Sequence, residues 1–329
     1  MKNKQVENTI DVHQVKKTCD AIRSEVAKIV VGYEEVVDDF LVCLIAQGHM
    51  FMLGVPGIAK TTLAKTFATV TGLSWNRVQF TQDLLPSDII GHMFYDQKAN
   101  DFKLRKGPIF SELVLADEIN RAPPKTQSAL IEAMQEHQVT IEGNTLPLPQ
   151  SFLVIATKNP VETEGVYPLP EAQLDRFLYR VTMDYLPKEK EFKLLKMKEA
   201  HVEEQVKTVG KEWIIPLIGM HHKVYADESI MHYIVRILRE TRETKELVIG
   251  ASPRAGEHLL YAAKAYALIH GKNYVIPDYV KTVAPKVLGH RVILSAESEL
   301  EGLSSQKVVN DILSRVEIPD ILESEITTK

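Results

Sequence analysis

The sequence predicts an α/β fold with a parallel sheet between layers of helices, followed by a region built of helices alone. In the first 187 residues, five short apolar runs alternate with helical patterns, which is typical of strands buried on both faces. After Pro187, long amphipathic helices dominate and no further buried strand is indicated. We therefore expect two domains, a doubly wound α/β domain over residues 1–187 and a helical domain over residues 188–329.

The elements follow from these patterns in chain order. Strands are predicted at residues 50–53, 77–80, 113–116, 152–156 and 179–183. Helices are predicted between them at residues 60–70, 125–137 and 171–177, and in the second domain at residues 228–244, 253–270 and 277–288. Residues 93–104 and 139–148 each pair two short apolar segments across a polar turn, so two β-hairpins interrupt the alternation.

Composition excludes several classes of protein. The chain has 329 residues, of which 45% are hydrophobic and 25% charged, as in ordinary globular proteins. The net charge of −5 gives no general attraction to polyanions, so we do not expect a nucleic-acid partner. Two cysteines cannot form a disulfide framework, and no secretory signal is visible, so we expect a cytoplasmic protein. Residues 40–59 lack Asp, Glu, Lys and Arg, but Gly48, Gly54 and Pro56 argue against a membrane span.

A phosphate-binding loop is predicted between the first strand and the helix that follows it. The predicted nucleotide contacts are Gly54, Pro56, Gly57, Ile58, Ala59, Lys60, Thr61 and Thr62. Glycines leave room for backbone N–H groups to wrap a phosphate, and the start of a helix adds partial positive charge. Lys60 would reach the β- and γ-phosphates of ATP, and the Thr61 hydroxyl would ligate Mg²⁺.

Ala59 departs from the usual pattern of such loops, which have glycine immediately before the lysine. A side chain is tolerated there if the residue already has helical backbone angles, and it would then favour the helix. The predicted helix itself begins at Lys60, so whether this condition holds at Ala59 stays open on the sequence.

The third predicted strand ends in two acids, Asp117 and Glu118. In a Walker B strand, the first carboxylate lies at the carboxyl end of the sheet and holds Mg²⁺. The second carboxylate orients and deprotonates the attacking water. The fourth strand is followed by Asn159, which would help position that water.

The chain resembles the MoxR branch of the AAA+ ATPases in several segments that follow one another in order. The matching segments are 54–61, 79–91 (QFTQDLLPSDIIG), 115–135 (LADEINRAPPKTQSALIEAMQ), 155–160, 169–177 (LPEAQLDRF) and 250–255 (GASPRA). The resemblance implies an AAA+ αβα P-loop domain with a five-stranded parallel sheet and inserted β-hairpins, followed by an all-α lid. Alanine before the P-loop lysine is usual in that branch.

The resemblance also implies roles for residues outside the two Walker motifs. Asn159 matches sensor 1, Arg176 matches the arginine finger that reaches a neighbouring subunit's nucleotide, and Arg254 matches the sensor 2 arginine. Val31 and Gly32 match the segment that lies against the adenine.

Local chemistry gives independent support for Arg254. The segment Ser252-Pro253-Arg254 is typical of a helix start, with an N-cap serine followed by proline. A cation in the first turn opposes the helix dipole unless an anion accompanies it. A γ-phosphate would supply that anion.

The function implied is Mg²⁺-dependent ATP hydrolysis by a ring, usually a hexamer, that remodels a partner protein complex. By resemblance, the partner would be a protein with a von Willebrand factor A domain. Two alternatives remain open on the sequence. One is a DNA-working motor, because the first hairpin carries Lys98, Lys103, Arg105 and Lys106. The other is a non-catalytic scaffold gated by ATP, against which Glu118 argues.

Overall fold

The structure is a computed structural model that describes residues 11–161, 165–199 and 205–319. The strands are β1 (Met50–Gly54), β2 (Trp75–Gln79), β3 (Gly91–Asp96), β4 (Asp101–Lys106), β5 (Leu113–Asp117), β6 (Gln138–Ile141), β7 (Asn144–Pro147), β8 (Leu153–Lys158), β9 (Tyr179–Met183), β10 (Leu247–Ile249) and β11 (Ile293–Leu294). The α-helices are α1 (Val12–Val26), α2 (Glu34–Ile45), α3 (Lys60–Thr71), α4 (Pro86–Ile90), α5 (Pro124–Glu136), α6 (Glu171–Leu174), α7 (Lys188–Glu199), α8 (Lys211–Ile214), α9 (Glu228–Glu243), α10 (Pro253–Ile269), α11 (Pro277–Leu288), α12 (Ala296–Leu300) and α13 (Ser305–Arg315).

The predicted five-stranded parallel sheet is confirmed, and its strand order is β2-β5-β8-β1-β9. Side chains alternate between its two faces, as the pleat of a strand requires. In β1, Met50 and Met52 pack on the side of the N-terminal helices, whereas Phe51 packs on the opposite side with α5. Burial on both faces explains why these strands are apolar without interruption.

The helical C-terminal region packs directly on the N-terminal helices. One hydrophobic cluster runs from α1 and α2 through one face of the sheet into α10, α11 and α13. Its members include Phe40, Met52 and Leu259, all of which are fully buried. The lid therefore shares its core with the first domain, and the division at residues 187 and 188 stays a prediction.

Both predicted hairpins are present, formed by β3 with β4 and by β6 with β7. The three predicted lid helices agree with α9, α10 and α11 to within a residue. Two details differ. The helix predicted at residues 171–177 ends at Leu174, because the segment after it is bonded to the lid. The lid also contains a short antiparallel ribbon of β10 and β11, whose apolar runs are shorter than the runs of four or five residues that predicted the strands of the first domain.

No helix in the described part of the chain is long and apolar enough to cross a membrane. The uncharged segment at residues 40–59 is divided among three elements. Helix α2 ends at Ile45, strand β1 covers Met50–Gly54, and α3 begins at Lys60.

Candidate functional site

The loop between β1 and α3 forms a concave nest of backbone N–H groups. Gly57 has φ +86°, and Ala59 has φ 68° and ψ 21°. Left-handed residues that alternate with right-handed ones turn successive N–H groups toward one point, which suits an anion. The first N–H groups of α3 have no partner within the helix, and no side chain caps them. A phosphate group fits this arrangement.

Ala59 does not have the helical backbone angles under which a side chain before the lysine would be tolerated without strain. Its left-handed conformation brings Cβ close to its own carbonyl oxygen, at a cost of roughly 1–2 kcal/mol for an L-residue. Ala59 is the N-cap of α3, and the helix begins one residue later, at Lys60. The Lys60 ammonium donates a hydrogen bond to the Gly54 carbonyl, so the lysine folds back over the loop.

Asp117 lies at the carboxyl end of β5 and is largely buried. Its Oδ2 accepts hydrogen bonds from Arg77 Nε at 3.0 Å and Nη2 at 2.7 Å, and its Oδ1 accepts from the Thr157 hydroxyl at 2.5 Å. Both carboxylate oxygens are therefore fixed in direction.

Glu118 follows in the left-handed conformation, with φ 58° and ψ 49°. Such strain in a residue with a side chain is typical of functional sites. The Glu118 Oε2 accepts a hydrogen bond from Gln79 Nε2 at 2.8 Å and lies 3.0 Å from Arg121 Nε. Its backbone N–H donates to the Thr157 hydroxyl at 3.0 Å, so Thr157 connects the two acids.

Asn159 follows β8, which lies between β5 and β1 in the sheet. It is buried, and its Oδ1 accepts a hydrogen bond from the Val161 N–H at 3.2 Å. Because all five strands are parallel, their carboxyl ends meet at one edge. The structure therefore brings the phosphate-binding loop, Asp117, Glu118 and Asn159 together at that edge.

A cavity of about 200 Å³ adjoins the phosphate-binding loop, between the loop and residues 29–33 and 185–194. Its lining includes Val31, Tyr33, Gly57, Ala59 and Tyr185. Gly32 has φ +89°, and a Cβ there would meet the Leu186 side chain at 2.4 Å. This mostly apolar cavity is the right kind of surface for a flat base beside the phosphates.

Arg176 and Arg254 lie at the opposite edge of the sheet. Both line a cavity with Gly48 and His49, which immediately precede the amino end of β1. The five residues of β1 span roughly 16 Å, so neither arginine is placed to reach the loop at the carboxyl end of the same strand. The anion beside Arg254 in this chain is the Asp175 carboxylate, at 3.4 Å.

Sequence reasoning missed Arg77, Gln79 and Thr157, which hold the two acids. Arg77 and Gln79 lie on β2, where Gln79 pairs with Asp117. Thr157 lies on β8, immediately after the residue that pairs with Ala116. In the sequence, each of them is only a polar side chain near the end of a strand. Whether such a side chain faces the two acids depends on the order of the strands in the sheet.

Comparisons with known proteins agree with this architecture. Residues 49–179 match the family model for the ATPase family associated with various cellular activities, and residues 239–312 match the AAA lid domain. The chain is 40% identical over 306 residues to Chaperone MoxR1 from Mycobacterium tuberculosis, covering 90% of this chain and 81% of the relative. It is 45% identical over 294 residues to the uncharacterized protein YeaC from Bacillus subtilis, covering 89% and 92%.

A crystal structure from Cytophaga hutchinsonii, of a protein assigned as an ATPase, superposes with a TM-score of 0.87 at 40% identity. The match covers 94% of this chain and 97% of that one. The fold and the site thus define an AAA+ ATPase. Within that class, the chain belongs to the MoxR-type family.

Proposed function

We propose that this protein hydrolyses ATP with Mg²⁺ at sites completed between adjacent subunits of a ring, and uses the hydrolysis to remodel a partner protein complex. One observation carries the proposal. The phosphate-binding loop and the acids lie at one edge of the sheet, whereas Arg176 and Arg254 lie at the other. A head-to-tail contact would bring the two halves of the site together.

In the first half-site, the nest around Gly57 and the Lys60 ammonium would bind the phosphates of ATP. Thr61 and Asp117 would hold Mg²⁺, which neutralises charge on the phosphate oxygens when bound. Because both Asp117 oxygens already accept hydrogen bonds, the donor set suits an ion that keeps part of its water shell. Glu118 would accept the proton of the attacking water, and Asn159 would help to orient that water.

The second half-site would come from the neighbouring subunit. Its Arg176 and Arg254 would approach the γ-phosphate from the side that the first subunit leaves open. A contact that joins two different faces of the same chain closes into a ring when the rotation permits. The resemblance to MoxR-type proteins supports a hexamer, a cytoplasmic location and a partner with a von Willebrand factor A domain.

Mixed rings test the shared site. Glu118→Gln should bind ATP but not hydrolyse it, because the amide cannot take up a proton. Arg176→Ala should also be inactive, since arginine fingers contribute about 10³–10⁵ to the rate. When the two variants exchange subunits in equal amounts, about one interface in four has an intact Glu118 facing an intact Arg176. Phosphate release should then reappear in the mixture.

Absence of rescue, with exchange demonstrated by a labelled subunit, would overturn the shared site. The same assay separates the alternatives. A DNA-working motor predicts turnover that DNA stimulates and salt suppresses. A scaffold predicts no phosphate release at all. The DNA alternative rests on four basic side chains of the first hairpin. Two of them already have partners within the chain, since Lys103 is paired with Asp96 at 2.5 Å and Lys106 lies over the Phe110 ring.

A further inference from the structure

Arg291, which follows α11 in the lid, is almost completely buried, with 1% of its side chain exposed. It donates hydrogen bonds to the backbone carbonyls of Asp175 at 3.1 Å, Phe177 at 2.5 Å and Leu178 at 3.4 Å. Its Nε donates to Asp175 Oδ1 at 2.8 Å. One lid side chain therefore holds the backbone on both sides of Arg176.

Neighbouring residues extend this contact. His290 is buried, and burial lowers its pKa well below the usual value, so the ring is neutral. Its Nε2 lies 3.0 Å from the Phe177 carbonyl, to which it donates. Arg180 Nη1 donates to the Gly289 carbonyl at 3.2 Å. Polar contacts thus join the arginine-finger segment, residues 175–180, to residues 289–291 of the lid.

The Arg176 side chain has little support of its own. Its buried Nε has no hydrogen-bond partner among the described residues. Its direction is therefore determined by the backbone from Asp175 to Leu178, and Arg291 is the side chain with the most bonds to that backbone.

Asp175 links the same segment to the second lid arginine. Its Oδ1 accepts from Arg291, and its Oδ2 lies 3.4 Å from Arg254 Nη1. The Arg254 side chain is about half exposed, at 47%, whereas that of Arg291 is not. Arg254 can therefore leave Asp175 for another anion while Arg291 keeps its hydrogen bonds to Asp175.

We propose that Arg291 is a positioning residue that aims Arg176, so that the lid and the arginine finger move as one unit. This inference rests on the proposed function, in which Arg176 serves the neighbouring subunit's site. Positioning matters because a misplacement of about 1 Å can cost about 100-fold in rate. Lid movement would then withdraw or present Arg176 and Arg254 together.

Arg291→Lys tests the inference, because lysine keeps the charge but cannot reproduce the forked set of bonds. We expect kcat to fall at least about tenfold while ATP affinity stays within about twofold, since the phosphate-binding loop lies at the other edge. Arg236→Lys, at a half-exposed lid arginine paired with Glu317, is the matched control and should leave both values unchanged.

Mixed rings distinguish positioning from general damage. Arg291→Lys mixed with Glu118→Gln should be more active than Arg291→Lys alone, because the Glu118→Gln subunit supplies a correctly positioned Arg176. Arg291→Lys mixed with Arg176→Ala should not exceed the activity of Arg291→Lys alone, since neither chain supplies a correctly positioned Arg176. A wild-type kcat for Arg291→Lys, or a loss of ATP affinity, would overturn the inference. So would failure of the first mixture where Arg176→Ala with Glu118→Gln succeeds.

If the mixture of Arg176→Ala with Glu118→Gln itself shows no activity, the shared site is wrong and this inference is wrong with it. Urea unfolding checks that Arg291→Lys is folded. Should it not be, Asp175→Asn replaces it in the same mixtures, because the amide keeps the shape of the side chain and removes the charge that Arg291 binds. Full activity of Asp175→Asn, or inactivity without rescue by Glu118→Gln, would then decide against the inference.

Discussion

At the scale of single residues, backbone conformation at the phosphate-binding loop is as informative as side-chain identity. Ala59 and Glu118 both adopt left-handed backbone angles beside the predicted site. Each holds functional groups in place at a local energetic cost. Such strain persists only where the surrounding structure imposes it.

Ala59→Gly should leave the free energy of unfolding unchanged or raise it by up to about 1 kcal/mol, because relief of left-handed strain offsets the greater freedom of the unfolded chain. The same substitution at Ala21, inside α1, should lower it by about 1 kcal/mol. Urea unfolding measures both. Equal losses at the two positions would contradict the left-handed conformation of Ala59.

Lys60→Ala should abolish nucleotide binding or weaken it severely, because the β- and γ-phosphates lose their cationic partner. Lys65→Ala is the matched control, since Lys65 is exposed on the same helix. Titration with a fluorescent ATP analogue measures both affinities. Equal affinities for Lys60→Ala and the unmodified protein would rule out the phosphate-binding role of the loop.

At the scale of elements, a close backbone approach at Gly91 determines how the first hairpin joins α4. Strand β3 begins at Gly91, directly after α4, with φ +96°. A Cβ at this position would meet the Arg105 carbonyl oxygen at 2.2 Å and the Gly107 nitrogen at 2.7 Å. The base of the hairpin formed by β3 and β4 therefore requires glycine.

Gly91→Ala should lower the free energy of unfolding by more than about 2 kcal/mol, since it adds a backbone clash to a strained φ. Gly143→Ala, in the turn of the other hairpin, is the control. It has φ +80° but nothing within 4 Å of the added Cβ, so it should cost only the strain of about 1 kcal/mol. Denaturant unfolding of the two variants compares these costs. If Gly143→Ala cost as much as Gly91→Ala, the close approach would have no energetic role.

At the scale of the whole molecule, buried histidines make stability depend on pH. Burial lowers the pKa of His49 and His221 to about 4 and that of His258 to about 3. His49 is held neutral between two backbone groups, accepting from the Val154 N–H at 3.1 Å and lying 3.0 Å from the Met134 carbonyl, to which Nε2 donates. In the unfolded chain these rings take up protons near pH 6.5.

Stability should therefore fall as pH drops below about 6.5 toward 4, by about 1.4 kcal/mol per pH unit for each histidine that stays neutral only in the folded state. Buried Asp39, whose pKa is raised to about 6 by burial, opposes this trend in part. Urea unfolding at pH 7 and pH 5 measures the loss. His49→Gln should show a smaller loss between the two pH values, whereas exposed His232→Gln should not. An identical loss in the unmodified protein and in His49→Gln would show that His49 does not contribute to the pH dependence of stability.

Apolar periodicity predicted the fold closely because it reports burial directly. Strand β9 was predicted at the residues it occupies, and α11 likewise. The left-handed conformation of Ala59 was not predicted, because the sequence does not show whether φ of a loop residue is positive or negative. Helix α6 is shorter than predicted because the carbonyls of Asp175 and Phe177 accept hydrogen bonds from Arg291, which is distant in sequence.

The sequence by itself determined the elements, the phosphate-binding loop and the acids at the end of β5, because each depends on neighbouring residues and local backbone chemistry. Only the tertiary structure decided what surrounds them. Strand order brings Arg77 and Thr157 to Asp117, and the packing of the lid brings Arg291 to the segment that carries Arg176. These contacts join residues far apart in the chain. They depend on which faces of the elements bury against one another, and a local pattern does not encode that choice.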